Sequence, residues 1–170
     1  MGKDFFDAYD LAKKRFAEAD EALGYSISKL CFEGPADQLQ LTEHTQPAIL
    51  TVAVIASELL RAEGIEPEIA AGHSLGEYAA LVAAGVLSFQ DAVLLVHKRG
   101  AYMQEAVPVG EGAMAAVIGL DDETIVSACA EASSVGAVQA VNFNCPGQTV
   151  IAGTAKGVEH AVTLLQEKGA

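Results

Sequence analysis

The pentapeptide GHSLG at residues 72–76 constrains this chain more than any other stretch. A short apolar segment, residues 68–72, precedes its serine, and an alanine-rich segment follows it. This order predicts a strand that turns sharply into a helix and leaves Ser74 exposed at the corner. Glycine on both sides lets the backbone turn without Cβ clashes and leaves room above the hydroxyl. The pattern indicates a serine nucleophile on a tight turn.

A structural interpretation uses the same geometry, because glycines also permit close helix–strand packing and a serine can cap a helix. The two interpretations coexist. The helix start adds chemistry, since the amide of Leu75 points to where a tetrahedral oxyanion forms and the helix dipole favours negative charge there.

A serine hydroxyl needs a general base, and the sequence shows no convincing one. The chain has four histidines: His44, His73, His97 and His160. His73 adjoins Ser74, and adjacent side chains on a tight turn point apart. His97 lies among apolar groups on a predicted helix, His160 faces solvent on the last helix, and His44 has no carboxylate pattern to orient it.

Arg99 lies 25 residues beyond Ser74, on a predicted helix. A guanidinium can hold a carboxylate through two parallel hydrogen bonds, which lysine cannot do. The alternative is a surface arginine paired with Glu105 or Asp91, and spacing alone favours that alternative.

The composition excludes several classes of protein. With 10 basic and 23 acidic residues among 170, the net charge is −13, so general attraction to nucleic acid or an anionic membrane is not expected. The three cysteines form no CxxC pair, which indicates neither a zinc site nor a disulfide framework. The longest apolar run, residues 47–60, is too short to span a bilayer, and residues 1–10 do not resemble a signal peptide. We therefore expect a soluble, cytoplasmic protein with reduced thiols.

The pattern of elements predicts two parts, residues 1–108 and 109–170. The first part reads as a helix over 4–23, a helix from a Thr45 cap to about 63, the strand 68–72, a helix to about 84, and a helix capped by Ser88. The second part reads as strands 113–120, 137–143 and 149–153, with helices capped by Asp121 and Thr154 and an end at Gly169. This βαββα order is one strand short of a ferredoxin-like unit.

Four segments together resemble a known family: "GHSLGEYAALVAAGVLSFQDAV", "RGAYMQEAVPVGEGAMAAVIGL", "VNFNCPGQTVIAG" and "TQPAILT". They closely resemble the malonyl-CoA:acyl carrier protein transacylases of bacterial fatty acid synthesis, and the likeness covers essentially the whole chain. The resemblance implies an α/β fold. It consists of part of an α/β-hydrolase-like acyltransferase core, followed by an incomplete ferredoxin-like subdomain.

The resemblance also implies roles for individual residues. Ser74 matches the nucleophile that takes the malonyl group as an oxyester, and Leu75 matches the residue whose backbone amide forms half of the oxyanion hole. Arg99 matches the arginine that holds the malonyl carboxylate. Three further polar residues fall in family motifs near the cleft and are expected to line it: Gln46, Asn142 and Gln148.

The implied partners are malonyl-CoA and acyl carrier protein, with no metal and no bound cofactor. The coenzyme A thioester and the phosphopantetheine of the carrier protein serve as substrates. Because both partners are acidic like this chain, docking has to use local basic groups, such as Lys98 or Lys156.

The chain departs from the family in length. Family members begin with a strand ending in a "GQGSQ"-like segment and carry the catalytic histidine beyond the small subdomain. We therefore expect a fragment that lacks both ends and is inactive alone. The alternatives are a polyketide synthase acyltransferase domain, a serine esterase of the α/β-hydrolase type, and a non-catalytic module that binds carrier protein. An esterase has no use for Arg99, and a non-catalytic module does not react with a fluorophosphonate at Ser74.

Overall fold

The computed structural model describes residues 1–108 and 110–170. These residues form two compact units, Met1–Ala106 and Val107–Ala170, which we call the N-terminal and C-terminal units. The division falls two residues before the predicted boundary at 108/109, and Val109 lies outside the described residues. The assignment of the two parts as functional domains stays a prediction.

All the regular elements among the described residues of the N-terminal unit are helices. Its helices are α1 (Lys3–Ala8), α2 (Asp10–Leu23), α3 (Ile27–Glu33), α4 (Ala36–Gln40), α5 (Thr42–Ala62), α6 (Gly76–Ala83) and α7 (Phe89–Ala106). None of the helices in the described part of the chain is long and apolar enough to cross a membrane.

The core of the N-terminal unit follows from helical spacing. In α2 the buried residues are Ala12, Phe16 and Ala19, which recur on one helical face. This face packs against buried residues of α3, α5 and α7, among them Ile27, Leu50, Ile55, Val93 and Val96. The packing of α5 and α7 into this core brings two distant parts of the sequence together.

The predicted single helix over 4–23 is wrong at Tyr9, where the backbone is extended (φ −130°, ψ 129°) and separates α1 from α2. The reason is the packing of Phe6 against two other aromatic rings. The ring centroid of Phe6 lies 5.9 Å from that of Phe16 and 4.9 Å from that of Phe32. A continuous helix would separate residues 6 and 16 by about 15 Å. The chain therefore folds back at Tyr9, which packs Phe6 against these two rings.

The expected cap at Thr45 is also wrong, because α5 begins three residues earlier, at Thr42. The Thr45 hydroxyl instead donates to the carbonyl oxygens of Leu39 and Leu41, at 2.5 and 3.1 Å. Pro47 consequently lies inside the helix rather than in its first turn.

Residues 68–72 do not form the expected buried strand: they are exposed, and Ile69 is 88% exposed. A strand needs a neighbouring strand for its backbone hydrogen bonds. The described residues of the N-terminal unit contain no second strand to supply it.

The C-terminal unit has the predicted βαββα order. Its elements are β1 (Gly112–Ile118), α8 (Asp122–Ala132), β2 (Val138–Cys145), β3 (Gln148–Thr154) and α9 (Ala155–Glu167). The strands form an antiparallel sheet in the order β1-β3-β2. Both helices pack on one face of it, over a core that includes Ile125, Ile151 and Leu165.

Four predicted helix-end signals are confirmed. The amide of Thr124 donates to the Asp121 carboxylate at 2.8 Å, and the amide of Gly157 donates to the Thr154 hydroxyl at 3.2 Å. In the N-terminal unit, the amide of Asp91 donates to the Ser88 hydroxyl at 3.1 Å. Gly169, just past α9, has a φ of 100°.

Candidate active site

The pentapeptide forms a tight turn directly before α6, and Ser74 sits at its corner with φ 52°. A positive φ is uncommon for a residue other than glycine, and such strain costs on the order of 1–3 kcal/mol. Gly72 makes the turn possible: a Cβ on it would lie 1.9 Å from the backbone carbon of Gly76. The backbones of the two glycines are therefore in direct contact, and Ser74 projects to the exposed side.

The amide of Leu75 is free to donate. At the turn, the amide of Gly76 donates to the carbonyl of His73 at 2.8 Å, and the amide of Glu77 donates to that of Ser74 at 3.3 Å. Within the described residues, the Leu75 amide makes no such bond. It lies at the N-terminus of α6, where the helix dipole favours negative charge. A free amide in this position is one of the donors that an oxyanion hole requires.

Arg99 bridges Ser74 and Gln46. Its Nη2 donates to the Ser74 Oγ at 3.0 Å, and its Nη1 donates to the Gln46 Oε1 at 2.6 Å. The Gln46 side chain is buried, and its Nε2 donates to the Met103 Sδ at 3.4 Å. Because a guanidinium only donates, the orientation of the Gln46 amide is determined. The expected surface pairing of Arg99 with Glu105 or Asp91 is not what the structure shows.

The crossing of α5 and α7 creates this chain of hydrogen bonds. Gly100 is buried at the crossing, and a Cβ on it would lie 2.5 Å from the Thr42 carbonyl oxygen and 2.6 Å from the Glu43 Cα. The absence of a side chain lets the helices approach closely enough for Arg99 to reach Gln46.

A shallow cavity of about 420 Å³ runs along α7 beside the guanidinium. It is lined by Leu95, Lys98, Arg99, Tyr102, Met103 and Ala106. The cavity therefore combines an apolar floor with two cationic side chains, which suits an anionic ligand that carries an apolar part.

Sequence reasoning missed Met103 and Gly100. Met103 follows Arg99 by four residues, and that helical spacing places both side chains on one face, a signal that could have identified it. Gly100 follows Arg99 directly, but nothing local in the sequence shows that it meets the first turn of α5.

The histidines of the N-terminal unit do not bond Ser74. The Nδ1 of His44 lies 2.8 Å from the Gln38 carbonyl oxygen, and the Nδ1 of His97 lies 3.0 Å from the Glu43 carbonyl oxygen. His73 is exposed beside Ser74. Among its described residues, the unit therefore places Arg99 beside Ser74 but no histidine in hydrogen-bond contact with it.

The other two expected lining residues, Asn142 and Gln148, belong to the C-terminal unit. Asn142 on β2 lies opposite Val150 of β3, and both side chains are on the sheet face that the helices leave open. The Oε1 of Gln148 accepts from Asn144 Nδ2 at 3.3 Å. Their place in the site stays a prediction.

Comparisons with known proteins identify the family of this chain. The acyl transferase domain model matches residues 1–170. The malonyl CoA-acyl carrier protein transacylase of Bacillus subtilis (strain 168) is 53% identical over 171 residues, covering 100% of this chain and 54% of that protein.

Two solved structures are similar over the whole chain. The malonyl CoA-acyl carrier protein transacylase of Coxiella burnetii has a TM-score of 0.94 and 46% identity, covering 100% of this chain and 54% of the other. A malonyl-transacylase solved in complex with a type II PKS acyl-carrier protein has a TM-score of 0.92 and 46% identity, covering 100% and 55%. The chain spans about half the length of the curated relatives it matches. The α/β fold expected from the sequence is confirmed, and the chain belongs to the acyl transferase domain family.

Proposed function

We propose that the protein carrying this chain transfers a malonyl group from coenzyme A to the phosphopantetheine thiol of acyl carrier protein, in fatty acid synthesis. The observation that carries the proposal is the contact of Arg99 with both the Ser74 hydroxyl and the buried Gln46 amide. A nucleophile and a carboxylate-binding cation then lie within one acyl-chain length of each other. The names of the relatives support the same reaction.

In the first half-reaction, the Ser74 Oγ attacks the thioester carbonyl of malonyl-CoA. A C–O bond forms, the C–S bond breaks, and coenzyme A leaves as the thiol after taking up the proton that the serine lost. The Leu75 amide donates to the developing oxyanion. The general base is expected from the part of the family's length that these residues do not span, since His44 and His97 are engaged elsewhere.

Arg99 supplies the selectivity for a dicarboxylic acyl group. Before substrate binds, one of its donors is occupied by the Ser74 hydroxyl at 3.0 Å. The malonyl carboxylate takes over that donor, while the bond to Gln46 keeps the guanidinium in place. Binding of malonyl thus frees a lone pair of the nucleophile, and an acetyl group cannot make the same exchange.

In the second half-reaction, the carrier-protein thiol attacks the seryl ester, and Ser74 recovers its proton. A structure of a similar transacylase with a carrier protein supports this partner. That carrier protein belongs to a type II polyketide system, which favours polyketide synthesis as the second candidate pathway for the same chemistry. Lys98, in the cavity beside Arg99, is a cation available to an acidic partner.

We place the reaction in the cytoplasm. Cys31, Cys129 and Cys145 form no disulfide in the structure, as is usual for proteins of that compartment. The substrates, a coenzyme A thioester and a carrier protein, act in solution without a metal or a bound cofactor.

The test is the intact mass of the whole polypeptide that carries these residues, after incubation with malonyl-CoA and an acid quench. We expect one malonyl adduct in the wild type and none in Ser74→Ala. Arg99→Met removes one partner of a hydrogen-bonded charge pair, so kcat/KM for malonyl-CoA should fall roughly 30-fold or more. Arg99→Lys retains the charge but cannot form two parallel hydrogen bonds. Its kcat/KM for malonyl-CoA should lie between those of the wild type and Arg99→Met.

The alternatives give different results. Hydrolysis of neutral esters that Arg99→Met leaves unchanged, with no malonyl adduct, would indicate an esterase. Failure of a fluorophosphonate to label Ser74 would indicate a non-catalytic module. Comparison of fatty acid and polyketide carrier proteins as acceptors separates the two pathways.

A further inference from the structure

Helix α5 contains an internal gap in its hydrogen bonding. Pro47 has no amide hydrogen, so the bond that residue 47 would normally donate to the carbonyl of Glu43 cannot form. The gap lies one residue past Gln46, the partner of Arg99. An unpaired carbonyl in the interior of a protein costs free energy, so its partner matters.

His97 of α7 supplies that partner. Its Nδ1 lies 3.0 Å from the Glu43 carbonyl oxygen, and because a carbonyl only accepts, Nδ1 is the donor. The ring is partly buried and packs beside Tyr25, with ring centroids 5.7 Å apart. A side chain of α7 thus replaces a backbone bond that Pro47 removes from α5.

Helices α5 and α7 are connected by two side-chain hydrogen bonds close to the point where Gly100 meets α5. His97 and Arg99 both precede Gly100 on α7, and Gly100 approaches the same Glu43 whose carbonyl accepts from His97. Gln46 follows Glu43 by three residues, less than one helical turn. The separation of α5 and α7 at His97 therefore affects the distance over which Arg99 reaches Gln46.

We propose that His97 is a positioning residue for Arg99, acting through the Glu43 carbonyl that Pro47 leaves unpaired. This proposal rests on the proposed function, because Arg99 is the group whose placement matters for malonyl binding. His97 touches neither the nucleophile nor the acyl group. Its effect is on how well the guanidinium is held for a carboxylate.

The experiment uses two substitutions of His97 in the whole polypeptide. His97→Asn keeps an N–H donor near the position of Nδ1, and His97→Phe keeps a ring of similar size without the donor. Each is made with Pro47 and with Pro47→Ala, which restores an amide that can bond the Glu43 carbonyl. The measurements are kcat and KM with malonyl-CoA and with acetyl-CoA.

We expect His97→Phe to raise KM for malonyl-CoA about three- to tenfold, the effect of one lost hydrogen bond. KM for acetyl-CoA should not change, because acetyl has no carboxylate for Arg99. His97→Asn should stay near wild type. With Pro47→Ala present, His97→Phe should have less than about a twofold effect, because the restored amide replaces the lost donor.

Equal effects of His97→Phe on malonyl-CoA and acetyl-CoA, or an unchanged effect in the Pro47→Ala background, would overturn the proposal. The nitrogen NMR signal of the Arg99 guanidinium gives a readout without substrate, and it should shift in His97→Phe but not in His97→Asn. If wild type transfers no malonyl and the signal still shifts, the proposed function fails while the positioning role stands. No shift in an active enzyme overturns the positioning role alone.

Discussion

Substitution of the first glycine of the turn, Gly72→Ala, tests the geometry around Ser74 directly. The new Cβ would lie 1.9 Å from the Gly76 carbon and 2.3 Å from the Glu77 nitrogen, whereas ordinary contact begins near 3.4 Å. The turn must therefore open by about 1.5 Å. Both colliding atoms are backbone, so no side-chain rotation can relieve the clash.

This displacement is large relative to what catalysis tolerates. A misplacement of about 1 Å can cost roughly 100-fold in rate, so Gly72→Ala should lower the rate of fluorophosphonate labelling of Ser74 by at least that factor. Overpacking should also lower the free energy of unfolding by about 1–3 kcal/mol. Labelling and urea unfolding are measured on the same whole polypeptide.

The matched control is Gly76→Ala, at the other end of the turn. A Cβ there would meet nothing within 4 Å, and Gly76 is the first residue of α6. Alanine favours a helix over glycine by up to about 1 kcal/mol, so this variant should be as stable as wild type or more stable. If Gly72→Ala labels at the wild-type rate, the described contact between the two glycines does not shape the site.

Three further predictions concern the N-terminal unit and the cysteines. Gly100→Ala would place a Cβ 2.5 Å from the Thr42 carbonyl oxygen. It should lower the free energy of unfolding in urea by about 1–3 kcal/mol. Unchanged stability would contradict the close crossing of α5 and α7. Burial raises the pKa of Tyr25 to about 12, above its unfolded value of 10.0, so stability is retained below pH 10 and falls as pH rises towards 12. Tyr25→Phe should remove that fall in stability. It should change the free energy of unfolding little at pH 7, because the Tyr25 hydroxyl has no hydrogen-bond partner among the described residues. An equal loss of stability at alkaline pH in both proteins would refute this. Burial raises the pKa of Cys31 to about 11, whereas Cys145 is exposed. Peptide mass spectrometry at pH 8 should therefore find iodoacetamide on Cys145 well before Cys31. Equal rates of modification would be inconsistent with the structure.

Features encoded over a few residues were predictable from the sequence. The caps at Ser88, Asp121 and Thr154 each bond an amide three residues later, so their signal is contained in four residues. The βαββα order is likewise read from successive short segments. The Ser74 turn belongs to the same class, because the contact of Gly72 with Gly76 is local.

Features that depend on distant partners were not predictable from spacing. Arg99 has a nearby carboxylate in sequence, yet it bonds Gln46, which is 53 residues away. The break at Tyr9 requires knowledge that Phe6 packs on Phe32. The partner of Arg99 and the helix break at Tyr9 both depend on contacts between parts of the chain that no local sequence pattern connects.

The separations along the chain have a consequence for the order in which the site forms. The turn closes a loop of four residues, whereas the Arg99–Ser74 and Arg99–Gln46 bonds close loops of 25 and 53 residues. Loop-closure entropy grows with length, and short loops close in roughly 10–100 ns. We expect the turn around Ser74 to form early. Arg99 should reach its hydrogen-bond partners only when α5 and α7 dock. During folding, Ser74 would then reach its strained backbone geometry before Arg99 lies beside it.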